Sequence, residues 1–367
     1  MRIAYFTHAL SSCWNHGNAH FLRGVLRELV LSGHDVSAFE PENSWSRANL
    51  VAEHGAAAGE AWRQAYPQLS VTRMGEDFSL ERALAGIDMV IVHEWNAPEL
   101  VAAIGALRRR KTFLLLFHDT HHRAVSEPQA IRRFDLAAYD GVLAFGETLA
   151  AVYRRWGWGH RVFVWHEAAD TRLFQPPEHE PERRGLVWIG NWGDGERAGE
   201  ITEYLLKPAE EAWLPLDIHG VRYPKEALAR IARHGAHYRG WVANASVPSV
   251  FSRHVATVHV PRRFYVETLP GIPTIRVFEA LACGIPLVSA PWDDSEKLFT
   301  AGTDYLVARD GAEMTRHLRA LSADEALRRS LTLNGLAAIR SRHSCLNRAH
   351  ELLAIAQRLG LNTLETA

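Results

Sequence analysis

The chain has 367 residues, 47% of them hydrophobic, with 41 basic and 42 acidic side chains and a formal net charge of −1. This length suggests two domains with real cores, and the balanced charge gives no electrostatic ground for a nucleic-acid or membrane-surface partner. Three scattered cysteines, Cys13, Cys283 and Cys345, are too few for a disulfide framework or a zinc ribbon. The start, "MRIAYFTHAL", lacks a long apolar core, and no apolar run reaches the about 20 residues needed to span a bilayer. A cytoplasmic location is the expectation.

In chain order, "RIAYF" (2–6) reads as a strand, followed by the polar loop "THALSSCWNHGN". In "AHFLRGVLRELVLSG", Phe21, Leu22, Val25, Leu26 and Leu29 recur at helical spacing up to Gly33. "HDVSAFE" is a second strand, completing a strand–loop–helix–strand unit of the doubly wound kind. "DMVIVHE" (88–94), "TFLLLFHD" (112–119) and "DGVLAFG" (140–146) are short and apolar on both faces, as in a parallel sheet covered by helices. Helical segments fall at 97–109 and 147–156. Residues 41–80 carry no readable motif. A Pro- and charge-rich stretch near 172–184 marks a domain boundary. The alternation then restarts, with strands in "GLVWIG" (185–190), "LDIHG", "AHYRGWV", "ATVHV" and "IPLVSA", and helices over about 323–358. Two successive α/β domains follow, 1–172 and 185–340, with 341–367 as a helical segment that can pack back toward the first. Sites in such sheets lie beyond the carboxyl ends of the strands, so the expected site is a cleft between the domains.

Within "GIPTIRVFEALACGIPLVS" (271–289), Glu279 interrupts an apolar run. A carboxylate there must be paired, exposed or used. A helix from about Ile275 to Cys283 would begin after Thr274 and end at Gly284 in the left-handed position that closes many helices. Arg276 and Glu279, three apart, would share a face. Helix geometry leaves two readings open, a local ion pair and a ligand-binding carboxylate.

The block "RVFEALACGIPLVS" with the following "LFTAGTDYLVARDGAEMTRHLRAL" resembles the C-terminal domain of GT-B glycosyltransferases of family 4, nearest to the spore-maturation-type subgroup. "NHGNAHFLRGVLRELVLSGHDV", "WHEAADTRLFQP", "WIGNW" and "RSRHSCLNRAHELL" resemble other pieces of that family, in the same order. The resemblance implies a GT-B fold, two Rossmann-like doubly wound domains facing an interdomain cleft. It implies that Glu279 accepts hydrogen bonds from the ribose hydroxyls of a nucleotide-sugar donor. Thr274, Ile275 and Arg276 would meet the diphosphate at the helix start. Family members often carry two Glu residues eight positions apart, and here the earlier position is Gly271. Glu267 is the nearest upstream acid that could substitute. Sugar identity and stereochemistry are left open by that gap.

In the loop "GNWGDGER" (190–197), Gly190, Gly193 and Gly195 allow tight turning and close approach to a phosphate, Asn191 is a further donor-binding candidate, and Arg197 could neutralise the phosphate charge; an ordinary turn is the alternative. Gly240 and Trp241 lie where the family holds the base. Arg262 and Arg263 are phosphate candidates or a surface pair. In the first domain, "LLLFHDTHH" places His118 where the family puts a His against the transferred sugar or the acceptor, with Asp119 to orient it or act as a base. His16, Gly17 and Asn18 occupy the first strand–helix loop, near the diphosphate or the acceptor. A metal bound by "HDTHH" is disfavoured by its spacing, and no metal or cofactor is expected. The expected activity is transfer from a nucleoside-diphosphate sugar to an unidentified saccharide, protein or small molecule, metal-independent and, by resemblance, retaining. A sugar-nucleotide epimerase and a non-catalytic nucleotide-sugar-binding protein are the alternatives.

Overall fold

The computed structural model describes residues 1–361 apart from 180 and 194; the end of the expected C-terminal segment, 362–367, lies outside the described residues. The chain divides into two compact units. Unit 1 comprises residues 1–167 and the chain from Cys345 onward, and unit 2 comprises Ala168–Ser344. The change of unit therefore falls ahead of the Pro-rich stretch. The reason is local: Ala169 N–H donates to His343 O (3.0 Å) and Arg184 N–H to Arg253 O (2.9 Å), so residues 168–184 are built into unit 2. The last helix, Cys345–Arg358, belongs to unit 1. Trp165 Nε1–H donates to Arg348 O there at 2.9 Å.

Unit 1 holds β1 (Arg2–Phe6), β2 (Asp35–Pro41), β3 (Ser70–Met74), β4 (Met89–His93), β5 (Leu114–Asp119), β6 (Gly141–Ala144) and β7 (Val162–Val164). They pair in the order β3-β2-β1-β4-β5-β6-β7. Every pairing is parallel. Central strands buried on both faces explain the unbroken apolar runs: every residue of β4 and β5 is buried. Removing a side chain such as Ile91 or Leu116 from water contributes roughly 1.5–3 kcal/mol each. The helix Ala19–Leu31 packs its Phe21, Leu22, Val25, Leu26 and Leu29 inward. Gly33, at φ +83°, ends it: Gly33 N–H donates to Val30 O and His34 N–H to Leu29 O, closing the carbonyls the helix leaves open. Elements with no counterpart in the sequence reading include the edge strands β3 and β7 and the helix Trp45–His54.

Unit 2 repeats the plan. Its strands are β8 (Leu186–Ile189), β9 (Leu216–His219), β10 (His237–Gly240), β11 (Ala256–His259), β12 (Leu287–Ser289) and β13 (Leu306–Val307), ordered β10-β9-β8-β11-β12-β13 and all parallel. Each sheet reverses its strand order once, between β1 and β4 in unit 1 and between β8 and β11 in unit 2. Doubly wound sheets bind ligands at such points, outside the carboxyl ends of the strands. Each unit is a Rossmann-like, doubly wound α/β fold.

Candidate functional site

Around the switch point of unit 1, a histidine lies at or within two residues of the end of three strands. Phe6–Thr7–His8 follows β1, Val92–His93–Glu94 closes β4, and Phe117–His118–Asp119 closes β5. Parallel pairing sets His93 beside His118 in register. The imidazoles form a chain: His16 to His8 (4.3 Å between ring centroids), His8 to His93 (5.7 Å), His93 to His118 (5.4 Å). His118 Nδ1 lies 2.7 Å from the Tyr5 hydroxyl. Burial pulls the pKa values of His8 and His93 down to about 3, and it lowers those of His16 and His118 well below normal. All four rings are therefore neutral at physiological pH. Two buried nitrogens, His8 Nδ1 and His118 Nε2, have no hydrogen-bond partner among the described residues.

Two carboxyls join this edge. Asp119 accepts from Tyr153 O–H (2.6 Å) and from His121 N–H (3.0 Å). Burial, then the nearby Glu94, raise its pKa to about 7. Glu94 is fully buried with an oxygen 2.9 Å from His93 Nδ1, and burial raises it to about 8 despite Arg123. The Arg123 guanidinium donates to Glu94 O and lies 3.9 Å from the Trp95 ring centroid. Asn96 Nδ2–H donates to Phe6 O (2.9 Å) and His93 O (2.8 Å), holding the ends of β1 and β4 together. Two carboxyls titrating near neutrality beside neutral imidazoles can hold and pass protons.

His118, Asp119 and His16 therefore share one edge. Gly17 accepts from His20 Nδ1 (3.1 Å), and Asn18 begins the helix Ala19–Leu31 without a side-chain cap. The sequence reading passes over His8, His93, Glu94 and Arg123. A signal was available: His93 and His118 each directly follow a buried apolar residue near a strand end, and His8 follows Phe6 by two.

In unit 2 the helix spans Ile275–Ala282. Glu279 is fully buried and ion-paired to Arg276. Thr274 occupies the cap position without a side-chain bond. Gly284, at φ +66°, closes the helix as anticipated, with Gly284 N–H on Leu281 O and Ile285 N–H on Ala280 O. Gly271 takes φ +89°, and a Cβ there would strike Ser295 Oγ. Glu267 ends the short helix Arg263–Glu267, is 64% exposed, and has Arg263 at 3.9 Å.

The arginines read as phosphate groups are engaged internally. Arg197 donates to Asn191 O and Val260 O, both at 2.6 Å, tying the loop after β8 to the loop after β11. Burial lowers its pKa to about 10. Arg262 pairs with Glu196, and Arg263 with Glu200 at 2.9 Å. Asn191 Oδ1 accepts from Val221 N–H (3.1 Å). Gly190 packs on Trp188, Gly193 turns at φ +84°, and Gly240 at φ +75° accepts from Gly220 N–H. Trp241 is half-buried beside it.

His259 adds an unanticipated group. Ser289 O–H donates to Ala290 O (2.7 Å), so its oxygen must accept from His259 Nδ1–H (2.9 Å). Burial lowers the ring's pKa to about 3, which leaves Nε2 as a buried acceptor.

Residues 197–354 match the family model described as glycosyl transferase-like; the match runs over most of unit 2 and into the last helix. No curated protein matches the chain in sequence. Its fold is similar to HepE of Anabaena in complex with UDP, with 12% identity, TM-score 0.69, and coverage of 98% of this chain and 100% of that one. Sucrose-phosphate synthase of Thermosynechococcus elongatus gives 15% identity, TM-score 0.69, and 98% and 99% coverage. The T4 phage β-glucosyltransferase gives 12% identity, TM-score 0.61, and 98% and 100% coverage. At these identities the likeness establishes the GT-B fold. Among the described residues no group of three or more His, Cys, Asp or Glu is arranged to hold a metal ion, and no helix is long and apolar enough to cross a membrane.

Proposed function

We propose that the chain is a glycosyltransferase moving a sugar from a nucleoside-diphosphate sugar to a hydroxyl-bearing acceptor, without a metal ion and with retention of configuration. The observation that carries this reading is Glu279, a fully buried carboxylate on a helix beside the unit 2 switch point, inside the matched domain. Its two oxygens suit a ribose diol, and the helix start at Thr274 and Ile275 suits the diphosphate. UDP in complex with HepE agrees with this assignment. The spore-maturation-type subgroup is the nearest by motif.

In the reaction, the bond between the anomeric carbon and the diphosphate oxygen breaks, and its electron pair leaves with the diphosphate. The acceptor oxygen takes the anomeric carbon on the same face, and its proton passes to the departing diphosphate. His118 and Asp119 in unit 1 order the reacting groups. A panel of UDP-, GDP- and dTDP-sugars tested by thermal shift identifies the donor. Turnover persisting in chelator and lost in Glu279→Ala supports the assignment, and undiminished nucleotide affinity in that variant removes it.

One observation favours a second reading. Glu94 and Asp119, with pKa values near 8 and 7, could exchange protons with a bound sugar, as an epimerase requires. Incubating the donor without acceptor separates the two, since only an epimerase yields an isomer.

A further inference from the structure

A groove of about 580 Å³ opens on unit 1 between residues 131–136 and 153–158, with none of the four histidines in its lining. Phe134, Trp156 and Trp158 supply its apolar wall, and Arg132 and Arg155 its charge. Gly157 (φ +98°) and Gly159 (φ +54°) take left-handed conformations that turn the chain sharply around Trp158. Both indoles are half-buried, whereas Arg132, Arg133 and Arg155 are exposed. The Arg132 guanidinium lies 5.0 Å from the Trp156 ring centroid, and that of Arg161 lies 4.6 Å from Trp158.

Two acids on the flanking segments are committed elsewhere. Asp135 pairs with Arg109 (3.7 Å) and Glu147 with Arg154. Among the described residues, Arg132, Arg133 and Arg155 have no carboxylate partner. The chain as a whole is charge-balanced, so two guanidiniums without a carboxylate partner, Arg132 and Arg155, lining a groove with two indoles form a local exception.

We propose that this groove binds an acidic saccharide, a short sugar chain bearing uronic-acid carboxylates or phosphate esters. Indole faces pack against the apolar C–H faces of sugar rings, and guanidiniums grip carboxylate or phosphate through paired N–H donors. The volume falls within the about 300–1,000 Å³ of small-ligand sites, which suits a few sugar rings and excludes a folded partner. The indoles sit in a recess, whereas aromatic side chains that anchor a protein to a bilayer lie at its interface. One side chain links the groove to the histidine edge: Tyr153 lines it and donates its hydroxyl to Asp119. On the transfer reading, the groove holds a remote charged part of the acceptor; the binding itself does not depend on that reading.

The test titrates the full chain with tetragalacturonate and with neutral maltotetraose, following tryptophan fluorescence and calorimetry at low and high salt. The acidic oligosaccharide should bind saturably and weaken with salt, and the neutral one should not bind. The exposed pair Arg132→Ala/Arg155→Ala should lose about tenfold or more in affinity, with unchanged circular dichroism and unchanged nucleotide binding. Affinity unaffected by the double variant, equal binding of maltotetraose, or no saturable binding overturns the proposal. So does groove-dependent capture of phosphatidylglycerol vesicles or a single-stranded oligonucleotide when tetragalacturonate fails. None of these outcomes touches donor binding in unit 2, so the two readings fail separately.

Discussion

At the switch point of unit 1, the polar groups are proton carriers: four neutral imidazoles, a carboxyl near 7 and another near 8. At the matching point of unit 2 one neutral imidazole, His259, is joined mainly by fixed charges, with Arg197 on two carbonyls and Arg262, Arg263 and Arg276 on carboxylates. The strand order through both points is the same. One fold thus places titrating groups at one edge and mainly fixed charges at the other. The difference lies in the balance of residues around each point, since β11 in unit 2 also ends in a histidine, His259. Histidine after an apolar run is buried and loses its charge, while arginine after a strand finds a carbonyl or a carboxylate and keeps it.

This contrast breaks most sharply at Asp119 and His118. Asp119→Asn or His118→Ala should lower turnover by about 10²-fold or more while leaving nucleotide affinity unchanged, because proton-handling groups contribute on that scale. Calorimetry with UDP alongside initial rates checks it; wild-type turnover in both variants would strip unit 1 of its chemical role. The mirror experiment is Glu279→Ala. Nucleotide binding should weaken by about tenfold or more, because a carboxylate gripping two hydroxyls through charged hydrogen bonds contributes at least about 1.5 kcal/mol. The pH dependence of turnover should keep its shape, since the titrating groups lie in unit 1. A variant that instead shifts the profile would show that the division between the edges is false.

Stability against pH gives a smaller, graded effect. Asp119 and Glu94 hold protons to about 7 and 8 when folded, but release them near 4 when unfolded. The folded chain therefore binds more protons above about pH 4, and stability falls as pH rises through 8. The histidines act oppositely. His8 and His93 stay neutral to about 3 when folded but protonate below 6.5 when unfolded, so stability falls as pH drops below 6.5. His16 and His118 shift in the same direction. Four imidazoles outweigh two carboxyls on the acid side, and the carboxyls act alone on the alkaline side. Maximum thermal stability is expected near pH 6 to 6.5, and Glu94→Gln should flatten the decline between 6.5 and 8. An unchanged alkaline decline in that variant would mean Glu94 is charged in the folded state.

How much of this the sequence shows depends on distance along the chain. Strands buried on both faces, such as β4 and β5, are legible as apolar runs. β3 is not, because an edge strand with no buried residue carries no such run. The Gly284 helix end is legible because a left-handed turn has a local signature. His118 and Asp119 stand out in the dense "HDTHH", while Glu94 reads as the polar end of a strand. Arg262 and Arg263 read as free cations because their partners, Glu196 and Glu200, lie over sixty residues upstream and nothing local announces them.

The smallest effect sharpens the comparison at two glycines that end helices in the same way. Gly33 in unit 1 and Gly284 in unit 2 both take left-handed φ values and both donate to the second carbonyl before the cap. Replacing either by alanine costs roughly 1 kcal/mol for placing a Cβ in that conformation. Around Gly33 nothing lies within 4 Å of a Cβ, so strain is the whole cost. At Gly284 the new methyl would meet Thr332 Cγ2 at 3.0 Å and Pro176 Cγ at 3.3 Å, so crowding adds to it. Gly33→Ala should therefore lower Tm by a few degrees and Gly284→Ala by more. If the two variants melt together, the packing around Gly284 yields freely, and the helix that carries Glu279 is held less firmly than its burial implies.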